Sequence, residues 1–318
     1  MVSILSLILR LRLLSLCIGA PSPSHPHILL LVVDDYGWND LGVHQNTTSA
    51  PNPMGLPTTS FTSPITPHLD QLAREGVRLE MYYVQPVCSP TRGAINTGRY
   101  PSHTGIGPGV ISPTEAYGMP KEETMLAQIM KRAGYATAAI GKWHLGFCDE
   151  RYTPTFRGFD EYVGYLNGAE DYWTHYRCNA VPPLPPPGTP QQPPPSIICS
   201  GIDDESEGEV KANFLDFRNG STPNVLAASS NHSFDNYSAF VFAAEATRMA
   251  TNHAARMAAA TTKSKAKTAS QPLFLYAAMQ SVHEPLQAPL AYLEKYASIA
   301  DTQRRAVSAM VTAMDDGQ

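Results

Sequence analysis

Asp34, Asp35, Cys88, Arg92, Lys142, His144 and His283 carry the side chains with which this chain could do chemistry. The adjacent carboxylates suit a hard divalent cation, which takes oxygen ligands. A lysine, an arginine and histidines around such a cation suit a tetrahedral oxyanion ester. Their charges meet both the anion and the negative charge that grows on the leaving oxygen. A thiol does not belong in that set, because sulfur is a poor ligand for a hard metal. Cys88 nevertheless sits in VCSPTRGAINTGRYPSHTG, two residues before Pro90 and four before Arg92. Taken singly, each residue also has a plain reading. Asp34 or Asp35 can cap a turn, Lys142 can be solvated, His283 can be a surface histidine, and Cys88 can be a small buried hydrophobe or half of a disulfide.

Their shared placement after strands favours a common site. The aliphatic run ILLLVV, residues 28–33, predicts a parallel strand buried on both faces and leads directly to Asp34 and Asp35. Thr66 as N-cap, Pro67 at the first helical position, the Leu69/Leu72/Ala73 stripe and a terminating Gly76 predict a short helix. Alternation of Val77, Leu79, Met81 and Tyr83 predicts a second strand, with Cys88 just before a helix start near Pro90. Met125, Leu126, Ile129, Met130 and Ala133 fall at helical spacing up to Gly134. A strand from Tyr135 to Ile140 then delivers Lys142 and His144. Further on, a helix from about Tyr237 to Ala260 and a strand from Leu273 to Ala278 lead to His283. This alternation predicts an α/β fold with a mostly parallel central sheet flanked by helices. Ligands of such a sheet gather beyond the carboxyl ends of its strands.

Composition limits the partners. With 318 residues, 43% hydrophobic and 16% charged, the chain is long enough for one large domain. A net charge of -5 without basic clusters argues against a nucleic-acid binder. Residues 1–20 read as a secretory signal: early arginines, the apolar stretch Leu13 to Ala20, then small residues. Arg10 and Arg12 leave that stretch too short for a stable membrane span. Sequons at Asn46, Asn219, Asn231 and Asn236 add to the expectation of a glycoprotein of the secretory pathway, secreted or lysosomal. In that compartment Cys178 and Cys199, which flank a proline-rich stretch, are the expected disulfide, and Cys148 has no obvious partner.

The stretch Cys88-Ser89-Pro90-Thr91-Arg92-Gly93, followed by Thr97-Gly98-Arg99, resembles the signature of the formylglycine-dependent type I sulfatases. The likeness continues through VDDYGWNDLG, TPHLDQLA, GYATAAIGKWHLG, RGFDEYVGYLNGAEDYW and PLFLYAAMQSVHEPLQAP, and is strongest to the arylsulfatase B, I and J group. It implies an alkaline-phosphatase-like sulfatase fold. It also implies a sulfuric ester hydrolase acting on sulfate esters, with sulfated sugars as the expected substrates.

The resemblance resolves the mismatch at Cys88. The formylglycine-generating enzyme would convert the cysteine to an aldehyde, whose hydrate offers oxygen to calcium, with magnesium as the second choice. One hydroxyl would take the sulfuryl group and expel the alcohol; the other would let the adduct collapse and release sulfate. Carried over to this sequence, Asp34 and Asp35 become metal ligands, and the modified Cys88 becomes nucleophile and further ligand. Arg92 would hold the hydrate and Lys142 would bind sulfate. His144 would lie beside the nucleophile and assist collapse, and His283 would contact sulfate or the leaving oxygen as the acid.

Departures from the family pattern shape the alternatives. In the family, a helix like RRAVSAMVTAMDD is followed by a strand ending in Asp-Asn-Gly, by a second active-site lysine and by a smaller carboxyl-terminal domain. Residues 27–318 are therefore expected to correspond to an incomplete amino-terminal catalytic domain, lacking the carboxyl-terminal part and of low solubility. Asp315 and Asp316 are expected as a solvated helix end. Residues 44–64 read as an enlarged loop near the cleft and 181–196 as an extended polyproline spacer. Three readings follow. The preferred one is a sulfatase. The second is a catalytically inactive sulfatase-like glycoprotein or fragment that binds sulfated glycans. The third is a phosphate-ester hydrolase of the same superfamily, against which Cys88 argues.

Overall fold

The computed structural model describes residues 25–45, 64–177, 214–220, 227–228, 237–262 and 271–317. The signal segment, the 181–196 spacer, Cys178 with Cys199, Asn46, Asn231 and Asn236, and nearly all of the 44–64 loop lie outside these residues.

The elements that position the site are β1 (Ile28–Val33), α1 (Pro67–Glu75), α2 (Cys88–Thr97), α3 (Leu126–Arg132), β2 (Ala136–Lys142), β3 (Glu161–Tyr165), β4 (Arg218–Gly220), β5 (Ala227–Ala228), α4 (Ser238–Thr262), β6 (Leu273–Met279), α5 (Leu290–Lys295) and α6 (Thr302–Asp316). They build one sheet in the order β1-β6-β2-β3-β4-β5. The first four strands in that order run parallel, and β4 and β5 are antiparallel additions at one end. Asn219 lies exposed on β4.

Strand β6 shows why the sheet strands read as unbroken apolar runs. All of its residues are buried. Leu275, Ala277 and Met279 pack with Phe242 of α4 and with Ala309, Met310 and Ala313 of α6. Phe274, Tyr276 and Ala278 pack on the other face with Ala127 of α3, Trp143 and Phe159. Period two therefore sends both sets of side chains into a core, each large one worth about 1.5–3 kcal/mol. Gly141 lets β2 lie close beside β6. Its φ is 83°, and a Cβ there would sit 1.9 Å from the Ala278 carbonyl oxygen.

Three expectations are corrected. Val77 to Tyr83 form no strand; Val77, Met81 and Tyr83 are 91%, 80% and 85% exposed. A period-two pattern becomes a strand only where a neighbour supplies the ladder of hydrogen bonds, and among the described residues none does so here. For the same reason β1 is not buried on both faces. It pairs only with β6 among the described strands, and Leu29 is 62% exposed. Finally, Asp315 is buried and not solvated. Its carboxylate accepts the His68 and Leu69 backbone N–H groups at 3.0 and 2.8 Å, and so caps the start of α1. Thr66 stands at the N-cap of that helix, where its carbonyl accepts Asp70 N–H at 2.8 Å, but its hydroxyl makes no cap bond and instead accepts from Gly42 N–H and donates to Asp70.

Candidate active site

The end of β1 is tied to the loop after β6 by two backbone bonds: Asp34 N–H to the Ser281 carbonyl at 2.9 Å, and Val282 N–H to the Asp34 carbonyl at 2.6 Å. This brings Asp34 and His283 to one edge of the sheet. The end of β2 adds Lys142, which is buried. The Lys142 ammonium donates to Asp34 Oδ2 at 2.5 Å, and Arg92 reaches Asp34 Oδ1 at 3.1 Å. Arg92 also donates to the Lys142 carbonyl at 2.9 Å, so β1, α2 and β2 meet in one buried cluster.

Burial and charge oppose one another in this cluster. Burial alone would raise the Asp34 carboxyl, but Arg92, Lys142 and His283 outweigh it and hold it down at about 2. Burial lowers Lys142, and the neighbouring Asp34 only partly offsets it. Arg92 moves the other way. Burial opposes its charge, but Asp34 prevails and raises it. The Arg92 Nε–H is buried and has no acceptor among the described residues, which leaves it available to an oxyanion.

Cys88 opens α2, after an extended Val87. Its Sγ lies 3.0 Å from His144 Nδ1, while His144 Nε2 lies 2.9 Å from the Ile111 carbonyl oxygen. Burial, then the Lys142 charge, pushes His144 well below its ordinary value, so the imidazole is neutral. His144 and Asp35 both follow strands and both take left-handed φ values, 55° and 54°. Such values are costly for residues with a Cβ and gather where the surroundings enforce a functional geometry. Asp35 projects to the exposed side, with His283 Nε2 3.8 Å from its Oδ2. The His283 carbonyl accepts from the Tyr172 hydroxyl at 2.8 Å.

The structure thus brings the seven expected residues into linked contacts: Asp34 with Arg92 and Lys142, Cys88 with His144, and Asp35 with His283. Sequence reasoning missed the groups that hold them. Ser89 accepts Ile111 N–H at 3.1 Å, and Gly168 leaves room for the His144 ring. Gln287 accepts from Tyr172 N–H at 2.9 Å and donates to Asp171 at 2.7 Å. Ser89 stood inside the Cys88 motif and was open to notice; the other partners are distant in sequence and give no local signal.

At this edge the described residues supply only part of a divalent-cation site, the Asp34 and Asp35 carboxylates. Both Asp34 oxygens are engaged by cations, which leaves Asp35 as the one aspartate of the pair not bound to Arg92 or Lys142. Calcium takes six to eight oxygen ligands. Among the described residues, the group of three metal-capable side chains within reach of one another is His68, Asp315 and Asp316. Asp315 is already engaged there as the α1 cap.

The family model Sulfatase matches residues 26–317. Arylsulfatase J of Mus musculus is 35% identical over 298 residues, covering 94% of this chain and 39% of that protein. N-acetylgalactosamine-6-sulfatase of Sus scrofa is 40% identical over 157 residues, 47% of this chain and 27% of that protein. Among solved structures, Ps i-CgsB in complex with k-i-k-neocarrahexaose superposes with a TM-score of 0.63 at 25% identity. It covers 92% of this chain and 53% of its own. The chain therefore spans about two fifths of arylsulfatase J, and just over half of the solved neighbour.

Proposed function

The chain belongs to the sulfatase family, with its alkaline-phosphatase-like α/β fold, and on that premise we propose that it serves hydrolysis of sulfate esters at the Cys88 edge of the sheet. The observation that carries this reading is the Cys88–His144 contact of 3.0 Å beside the buried Asp34–Arg92–Lys142 cluster. Converted to formylglycine by the secretory-pathway enzyme, residue 88 would supply a hydrated-aldehyde oxygen as nucleophile, which a thiol lacks.

The chain's own residues account for the rest. Arg92 and Lys142 place two positive charges where a sulfate group must lose its water, with the Arg92 Nε–H still available. Neutral His144 can take up a proton at Nδ1, on the side facing residue 88. His283 stands beside exposed Asp35 and is the candidate donor to the leaving alcohol. A sulfated sugar is the proposed substrate, supported by the relative named for N-acetylgalactosamine-6-sulfate chemistry and by the neighbour solved with a neocarrahexaose. The sequons and the amino-terminal signal pattern support residence in the secretory pathway.

The engagement of Asp34 by Lys142 and Arg92 favours one second reading, a protein that binds sulfated glycans through these cations without cleaving them. Peptide mass across Cys88, on protein secreted from cells with the maturation enzyme, combined with turnover of an aryl sulfate, decides. An aldehyde with turnover supports the hydrolase. An aldehyde without turnover supports the binder, and an unmodified thiol removes the proposed nucleophile.

A further inference from the structure

We propose that Ser89 is a positioning residue that fixes the ring of His144 toward residue 88 through the backbone of Ile111. This rests on the reading of residue 88 and His144 as the reacting pair. The contacts form a closed circuit. Cys88 Sγ meets His144 Nδ1 at 3.0 Å, His144 Nε2 meets the Ile111 carbonyl at 2.9 Å, Ile111 N–H donates to Ser89 Oγ at 3.1 Å, and the Cys88–Ser89 peptide closes the ring.

Each link has a physical consequence. A carbonyl oxygen only accepts, so the neutral ring that meets Ile111 carries its proton on Nε2. Nδ1 is then left as the acceptor facing residue 88. The tautomer therefore depends on where the Ile111 carbonyl stands. Ile111 belongs to an irregular segment with no helix or strand to hold its backbone, and Val110 beside it is 46% exposed. Ser89 is fully buried on α2, a rigid element that also carries Cys88, and its hydroxyl takes the Ile111 N–H that would otherwise be buried and unpaired. Gly168 also lies close to the ring, where a Cβ would sit 2.5 Å from His144 Cε1. Of these two neighbours only Ile111 selects the nitrogen that keeps the proton.

The test uses the full chain labelled with 15N-histidine, with the His144 resonances identified by their loss in H144A. Long-range 1H–15N correlation should show wild-type His144 as the Nε2–H tautomer. S89A should move the signals toward a mixture of tautomers, and S89T, which keeps the hydroxyl, should restore them. In protein that turns over an aryl sulfate, S89A should lower kcat about tenfold with KM changed less than about twofold, and S89T should recover the rate. If S89A does not fold, S89C keeps the volume with a weaker acceptor and should show the same tautomer shift. A folded S89A or S89C whose His144 spectrum matches wild type overturns the proposal. The tautomer readout needs no turnover. A wild-type Nε2–H signature that Ser89 controls, in protein that never cleaves a sulfate ester, would sustain this inference while removing the hydrolase reading.

Discussion

The Lys142 ammonium lies 2.5 Å from Asp34 Oδ2 while Arg92 holds Oδ1 at 3.1 Å, so one buried carboxylate is shared by two cations from different elements. A divalent cation at Asp34 would compete with both donors for the charge of this carboxylate. In K142M, which keeps much of the side-chain length without the charge, the Oδ2 atom is released. Calcium is therefore expected to raise the thermal midpoint of K142M more than that of wild type, since a ligand at about 100 times its Kd adds about 2.7 kcal/mol. Thermal unfolding across a calcium series measures it. Equal shifts in the two proteins would mean that Lys142 does not govern access to Asp34.

Gly168 lies against the imidazole of His144, and a methyl group there would meet three ring atoms at 2.5 to 3.2 Å. G168A should push the ring off its line to Cys88 while leaving the two cores intact. A crystal structure of G168A should show the 3.0 Å Cys88–His144 contact broken, and turnover of an aryl sulfate should fall by roughly tenfold or more. An unmoved ring in that structure would show that the backbone at 168 yields instead.

Glu170 is fully buried, with Oε1 2.9 Å from His175 Nδ1. Burial first, then the carboxylates of Asp216 and Asp171, raises its carboxyl well above the ordinary range. With the folded value above the unfolded one, its contribution is fully present below the ordinary carboxylate range and is lost as pH rises through the folded value. Wild type should therefore lose stability relative to E170Q as pH rises above the ordinary carboxylate range, with a slope no steeper than about 1.4 kcal/mol per pH unit. Urea unfolding of both proteins at rising pH checks this. Parallel curves would mean that Glu170 ionises in the fold as freely as outside it.

Much of the site was legible because several of its residues stand directly after an apolar run or at a helix start, so local pattern and local placement agree. Asp34 after β1, Lys142 at the end of β2 and Cys88 at the start of α2 are examples. The 77–83 alternation shows the limit of that logic. A strand is a property of a pair, and the residues themselves do not say whether a neighbour is present. Contacts such as Ser89 with Ile111 or Gly168 with His144 were not legible for a similar reason. They depend on which loops tertiary packing brings together, and the sequence separations of 22 and 24 residues carry no periodic signal.

Asp315 and Asp316 are neighbours in sequence with opposite roles, which makes their comparison a test of how α6 holds α1. The Asp315 carboxylate accepts two backbone N–H groups at the first turn of α1, where unpaired donors and the positive end of the helix both favour an anion. Asp316 faces Lys295 at 3.5 Å on the partly exposed side. Removing the buried cap in D315A should cost about 1–3 kcal/mol, since it leaves donors without acceptors. D316A should cost less than about 1 kcal/mol, as for other solvent-screened pairs. Urea unfolding with unchanged m-values measures both. A D315A loss no larger than that of D316A would mean that water satisfies the start of α1 as well as Asp315 does, and the buried carboxylate would then need another explanation.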